Sequence, residues 1–174
     1  KPSSQNTTPL VSNKDKNQNS QIDILPNFWD DRPSDELALA IIDAMTDEEL
    51  FAQTLMFGWA GLDPSPLVID WVQERSLGSI KIFGWNTDNT QKVAESISLL
   101  QKKSAQNRSG IPLFVATDQE GGWIRHIKGR TSETPGNLAL GASGFPADAW
   151  YSGYYISREL AALGINLNFA PAVD

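Results

Sequence analysis

One device recurs along this chain and limits its fold more than any other feature. A helical pattern ends, a glycine follows, and the chain runs straight into a short apolar segment: Leu77-Gly78-Ser79-Ile80, Ser109-Gly110-Ile111 and Leu163-Gly164-Ile165. The segments that follow cover 80–83, 112–117 and 165–170, and Leu55-Met56-Phe57 before Gly58 reads as an earlier member. Runs such as Leu113-Phe114-Val115-Ala116 are apolar on both faces, as parallel strands covered by helices must be. Right-handed βα units in series give either a doubly wound open sheet or a (β/α) barrel.

The helices between these strands carry their own punctuation. Leu37, Ile41, Ala44 and Met45 fall on one helical face. Thr46 and Glu49 have capping-box spacing, so a new helical turn starts there. Ser65 followed by Pro66 is an N-cap with a first-turn proline, and Leu67, Val68, Trp71 and Val72 form the apolar stripe, closed by Gly78. Asp88 with Gln91 opens the next helix, which turns Val93, Ile97 and Leu100 inward. Pro146 opens another, with Trp150, Tyr154, Ser157, Leu160 and Ala161 on one face and Gly164 as its left-handed stop. Gly141-Ala142-Ser143-Gly144 lacks the spacing of a phosphate or dinucleotide loop and reads as a connection before Pro146.

From Lys1 to about Gln21 the chain is mostly Ser, Asn, Gln, Thr, Lys and Pro with little to bury, so we expect a polar flexible segment over 1–30 and a folded part over 31–174. A polar start of this kind fits a periplasmic, secreted or lipid-anchored protein whose leader has been removed, and equally an arbitrary boundary. A closed eightfold barrel needs about 250 residues. Four strands stopping at Asp174 therefore lead us to expect one portion of a larger polypeptide, with a complete flavodoxin-like domain as the competitor. The net charge of −7 gives no broad positive field for nucleic acid. No apolar run reaches the roughly 20 residues that span a bilayer. Zero cysteines exclude disulfides, thiolate metal sites and a thiol nucleophile.

In both parallel architectures ligands bind at the C-terminal ends of the strands. The densest polar group stands at such an end: Thr117-Asp118-Gln119-Glu120-Gly121-Gly122, followed by Trp123, Arg125 and His126. Two carboxylates, an arginine, a histidine and flat indoles suit a sugar ring, which has polar rims and weakly apolar faces. Trp59, Trp85 and Trp123 all stand at or just after strand ends, while Trp71 and Trp150 read as helix core. Asp174 closes the fourth strand end. Asp118, Glu120 and Asp174 also make a conceivable but unfavoured oxygen-ligand metal set. Asn166 and Asn168 share one strand face, either lining the polar interior or serving as satisfied core amides.

Three motifs in order now make a specific resemblance. Asp118-Gln119-Glu120-Gly121-Gly122, Ile82-Phe83-Gly84-Trp85-Asn86 and Asn168-Phe169-Ala170-Pro171-Ala172-Val173-Asp174 resemble family 3 glycoside hydrolases, closest to the β-N-acetylglucosaminidase branch, over about 35–174. The resemblance implies a (β/α)8-type TIM-like barrel, of which this chain holds about the first half. It makes 31–174 the N-terminal portion of a catalytic domain. It further implies removal of a terminal β-linked N-acetylhexosamine with retention and no cofactor, the partners being a carbohydrate substrate and the remainder of the same polypeptide. Asp118 takes the family role of binding sugar hydroxyls. The Arg usual eight positions later is His126 here, with Arg125 one place earlier, so both are candidates. Glu120, Trp123, Trp85 and Asp174 complete the expected substrate contacts. The family's Asp nucleophile, its His acid/base and a Lys-His pair belong downstream of Asp174, so the segment alone is expected to be inactive. Alternatives are a non-catalytic sugar-binding barrel and a β-glucosidase-type hydrolase of the same family.

Overall fold

In the computed structural model, which describes residues 25–173, every anticipated apolar segment contributes a strand. Most of the 1–30 segment and Asp174 lie outside the described residues. The elements in chain order are α1 (Ser34–Ala44), α2 (Asp47–Gln53), β1 (Met56–Phe57), α3 (Pro66–Glu74), β2 (Ser79–Lys81), a 3-10 turn (Gly84–Asn86), α4 (Thr90–Ser104), β3 (Phe114–Thr117), β4 (Gln119–Gly121), β5 (Ile124–Arg125), α5 (Asn137–Ser143), α6 (Pro146–Ala162) and β6 (Leu167–Asn168). Strands β1, β2, β3 and β6 form one parallel sheet in that spatial order. Each new strand is added on the same side of its predecessor. A doubly wound sheet reverses direction at a switch point, so the order is that of a barrel wall, and the fold is a TIM-barrel-like α/β arrangement. Between β3 and β6 the chain makes a small antiparallel hairpin, β4 with β5.

The core is the layer between the outer sheet face and the helices. Val68 and Val72 of α3, Val93, Ile97 and Leu100 of α4, and Ile156 and Leu160 of α6 pack with Ile80, Ile82 and Val115. The helix starts obey local chemistry. Thr46 and Glu49 form the reciprocal capping box of α2, and Ser65 Oγ accepts from Val68 N at the head of α3. The α4 cap is Asn89, whose side chain accepts from Lys92 N, and not Asp88 one residue earlier. Both side chains can cap a helix, and the backbone chose the second.

Three other expectations are corrected. Leu67 is 64% exposed, because the stripe of α3 narrows to Val68 and Val72. On α6 the buried face is Ser152, Ile156 and Leu160, spaced four apart, while Trp150 is 61% exposed and stacks on Tyr154 at 5.1 Å instead of entering the core. The stretch before Pro146 is not a loop throughout: Gly141 to Ser143 finish α5, and Gly144 is its left-handed cap.

Gly78 also has a different task from the one its position suggests. Helix α3 ends at Glu74, and Ser76 supplies the left-handed turn with φ of 56°. At Gly78 a Cβ would stand 2.2 Å from the Gln53 carbonyl oxygen, so the residue is needed for contact between α2 and the start of β2. The Gly78 N–H donates to Ala52 O, and its own carbonyl accepts from Phe114 N. The segment before β3 is tied down by Arg108, which donates to both carboxylate oxygens of Glu49 and to Ala44 O. This bidentate bond holds Glu49 well below its ordinary value of 4.5, at about 2.

Two outcomes follow. Gly78→Ala is expected to destabilise the folded protein by about 3 kcal/mol through overpacking against backbone, read from denaturant midpoints. Because the Glu49 carboxyl is held low, its stabilisation is complete above pH 4.5 and drains away as pH falls toward 2. The gap in melting temperature between wild type and Glu49→Gln is therefore expected to be widest near neutrality and to narrow below pH 4.5.

Candidate functional site at the strand ends

The register of β2 against β3 builds the site. Lys81 pairs with Ala116, and Asp118 lies two residues further along on the same side of the chain. Lys81 Nζ stands 2.9 Å from Asp118 Oδ2, and His126 Nε2 lies 3.3 Å from the same oxygen. All three side chains are about three-quarters buried. His126 is held by its backbone: its N–H donates to Asp118 O, and its carbonyl accepts from Thr87 Oγ1 at 2.8 Å. Its ring meets Phe83 edge-on at 5.8 Å.

Side-chain amides frame this cluster. Gln119, buried, donates to Ile127 O and accepts from Ile127 N, closing the turn that carries His126. Asn168 does the same for the backbone of Gln119, accepting from its N–H and donating to its carbonyl. Asn166 likewise accepts from Val115 N and donates to Leu113 O. Both asparagines are thus satisfied amides that lengthen the β3–β6 pairing at its two ends. Asn86 accepts from Phe83 N and donates to the carbonyls of Trp59 and Gly61, joining the loops after β1 and β2.

The remaining anticipated residues divide. Glu120 accepts from Asn137 Nδ2 and from Ala172 N, so it bridges α5 and the segment after β6. Arg125 turns away from Asp118: it pairs with Glu133 at 2.8 Å and donates to Ser132 O. Of the two candidates eight and seven positions after Asp118, His126 is the one beside it. Trp85 stacks on Phe83 at 4.5 Å and 12°, with its indole N–H donating to Trp59 O. Trp123 is 99% exposed and is left uncovered by the described residues. Asp174 is outside the described residues. Gly121 and Gly122 both have positive φ, and a Cβ on Gly121 would meet Pro135 O at 2.5 Å, so the pair admits the 134–136 segment against the turn. Lys81 was missed by sequence reasoning. Its signal was a lysine interrupting the apolar run Ile80-Lys81-Ile82-Phe83.

Five of the best-formed cavities lie elsewhere, and Asp118 lines none of them. The most apolar, about 510 Å³, sits between α1 and α2 and includes Ile111, before the start of β3 and away from the strand ends that carry Asp118. Among the described residues no cluster of three or more metal-ligating side chains forms. No helix among them is long and apolar enough to cross a membrane.

A consecutive parallel wall with a carboxylate, a lysine and a histidine gathered at its C-terminal rim defines a βα-barrel protein with a polar site at the barrel mouth. Residues 41–174 match the family described as glycosyl hydrolase family 3 N terminal domain, and the chain belongs to that family. It is 34% identical over 114 residues to a β-hexosaminidase A from Pseudoalteromonas piscicida, covering 63% of this chain and 19% of that protein. Among solved structures it is similar to a glycoside hydrolase family 3 β-N-acetylglucosaminidase from Paenibacillus sp. str. FPU-7, with 36% identity, a TM-score of 0.70, and coverage of 74% of this chain and 24% of that one. A β-N-acetylhexosaminidase from Beutenbergia cavernae DSM 12333 gives 31% identity, a TM-score of 0.61, and coverage of 73% and 38%. The chain therefore spans well under half the length of these relatives.

Gln119 is the partner of the Ile127 N–H and shares the Ile127 carbonyl with Thr131 Oγ1, so Gln119→Ala is expected to cost about 1–3 kcal/mol by leaving the buried N–H unpaired. Chemical denaturation measures that loss. Faster hydrogen exchange at the Ile127 amide is expected with it.

Proposed function

We propose that this chain is the N-terminal portion of a barrel glycosidase that removes a terminal β-linked N-acetylhexosamine with retention, and that it supplies substrate contacts. The observation that carries the reading is Asp118, a carboxylate fixed at the barrel rim between Lys81 and His126 in a chain of this family. An ionised carboxylate accepts strong hydrogen bonds from vicinal hydroxyls. His126 and the exposed face of Trp85 complete a surface suited to a sugar, with a polar rim and an apolar face. Glu120 and Arg125 support the loops around it. Trp123 reaches the sugar only if a further part of the protein brings the two together.

The rest of the same polypeptide is the natural complement. Phe114 is 60% exposed on the sheet face opposite the helices, and Phe169 beside the site is also exposed. Further strands that close the wall would bury both. Retaining hydrolysis needs a nucleophile and a proton donor on opposite sides of the scissile bond, with carboxyl pairs about 5–5.5 Å apart. Asp118 and Glu120 do not form that pair, because Glu120 is bound to Asn137 and Ala172. Bond cleavage is assigned to residues beyond this chain.

The test uses the full-length protein and a chromogenic β-N-acetylglucosaminide. The whole polypeptide is expected to hydrolyse it, and the 25–174 segment is not. Asp118→Ala in the whole enzyme is expected to lower kcat/KM by about 30-fold or more, equivalent to about 2 kcal/mol of lost charge-assisted bonding. Unchanged kinetics would place the sugar elsewhere.

A further inference from the structure

Lys81 is the only charged side chain within the four strands of the parallel sheet. A strand ammonium mostly removed from water is unfavourable unless it is paired. Here its surroundings are specific. The ammonium lies 5.0 Å from the centre of the Phe83 ring and 5.2 Å from that of Phe169, and 2.9 Å from Asp118 Oδ2. The two rings and the carboxylate come from the ends of three neighbouring strands, so the position of Nζ is fixed from several sides.

The two contacts to Asp118 also fall on one atom. Lys81 and His126 both reach Oδ2, and among the described residues Oδ1 takes no hydrogen bond. A carboxylate held at one oxygen by two donors from opposite elements loses its rotational freedom. Its second oxygen then presents its lone pairs in a fixed direction. His126 rides on a turn, whereas Lys81 is set by the β2 and β3 register.

We propose that Lys81 is a positioning residue for sugar recognition: by pinning Oδ2 it aims Oδ1 of Asp118 at one hydroxyl of the bound sugar. This rests on the carbohydrate reading above. It also makes a claim that reading does not, namely that recognition of that hydroxyl depends on a lysine with no need to touch the sugar.

The experiment uses the full-length enzyme, Lys81→Met, Lys81→Arg, and chromogenic β-N-acetylglucosaminides in which each free ring hydroxyl in turn is replaced by fluorine, which cannot donate. In the wild type, fluorine at the hydroxyl read by Asp118 is expected to lower kcat/KM at least about tenfold. Lys81→Met is expected to lower kcat/KM for the parent substrate by a similar factor and to shrink that fluorine penalty to about threefold or less, since an unaimed carboxylate no longer distinguishes the two. Lys81→Arg, with the charge kept but its head displaced, is expected to move both quantities in the same direction by less. It serves as the readout should the Met variant not fold. A merely structural role predicts the full fluorine penalty in every folded variant. That result, or wild-type kcat/KM in Lys81→Met, overturns the proposal. A wild-type enzyme inert toward all of these glycosides overturns instead the function from which it starts.

Discussion

The register between β2 and β3 is the constraint on which the rest depends. It pairs Ser79 with Phe114, Ile80 with Val115 and Lys81 with Ala116, and it sends Ile80 and Val115 into the fully buried layer under the helices. Side chains alternate across a strand, so a slip of one residue would put Lys81 among the helices and aim Asp118 away from the rim. The slip is prevented before the strands begin. Gly78 receives α2 at a distance no side chain permits, and its carbonyl fixes the first residue of β3. A packing requirement at one end of the sheet thus determines which polar groups meet at the other.

At the rim, order comes less from regular structure than from amides acting as substitute backbone. Gln119, Asn166 and Asn168 each donate to and accept from main-chain groups of another segment, and Asn86 accepts within its own turn while donating to the loop after β1. Strands of two to four residues cannot pair all of their backbone, and unpaired buried groups are costly. These side chains fill the vacant positions and join successive βα units. Glu120 extends the same principle with a charge, linking α5 to the segment that follows β6.

Much of this was readable in the chain. The helix, glycine, strand repeats located three of the four parallel strands and the apolar run before Gly58 the first, while the capping signals at Thr46, Ser65 and Pro146 located helix starts, because those rules act over a few residues. Errors arose where a local pattern had two solutions that only tertiary contact separates. Aromatic residues lie on more than one side of α6, and periodicity alone could not select Ser152, Ile156 and Leu160 as the inward face. Gly78 looked like a helix stop because a glycine needed for contact and one needed for φ are the same letter. At the candidate site, Asp118 was legible from its place after an apolar strand. Lys81 was not, because its partner is 37 residues away and the pairing exists only once two strands are in register.

Trp85 carries one consequence for any molecule that settles at this rim. Its single polar atom is occupied by the Trp59 carbonyl and one ring face is covered by Phe83. What is left open is the other ring face, a plane with no donor to offer. Discrimination by that face would be by contour, through the flatness of the C–H-bearing side of the guest, and indifferent to ionic strength.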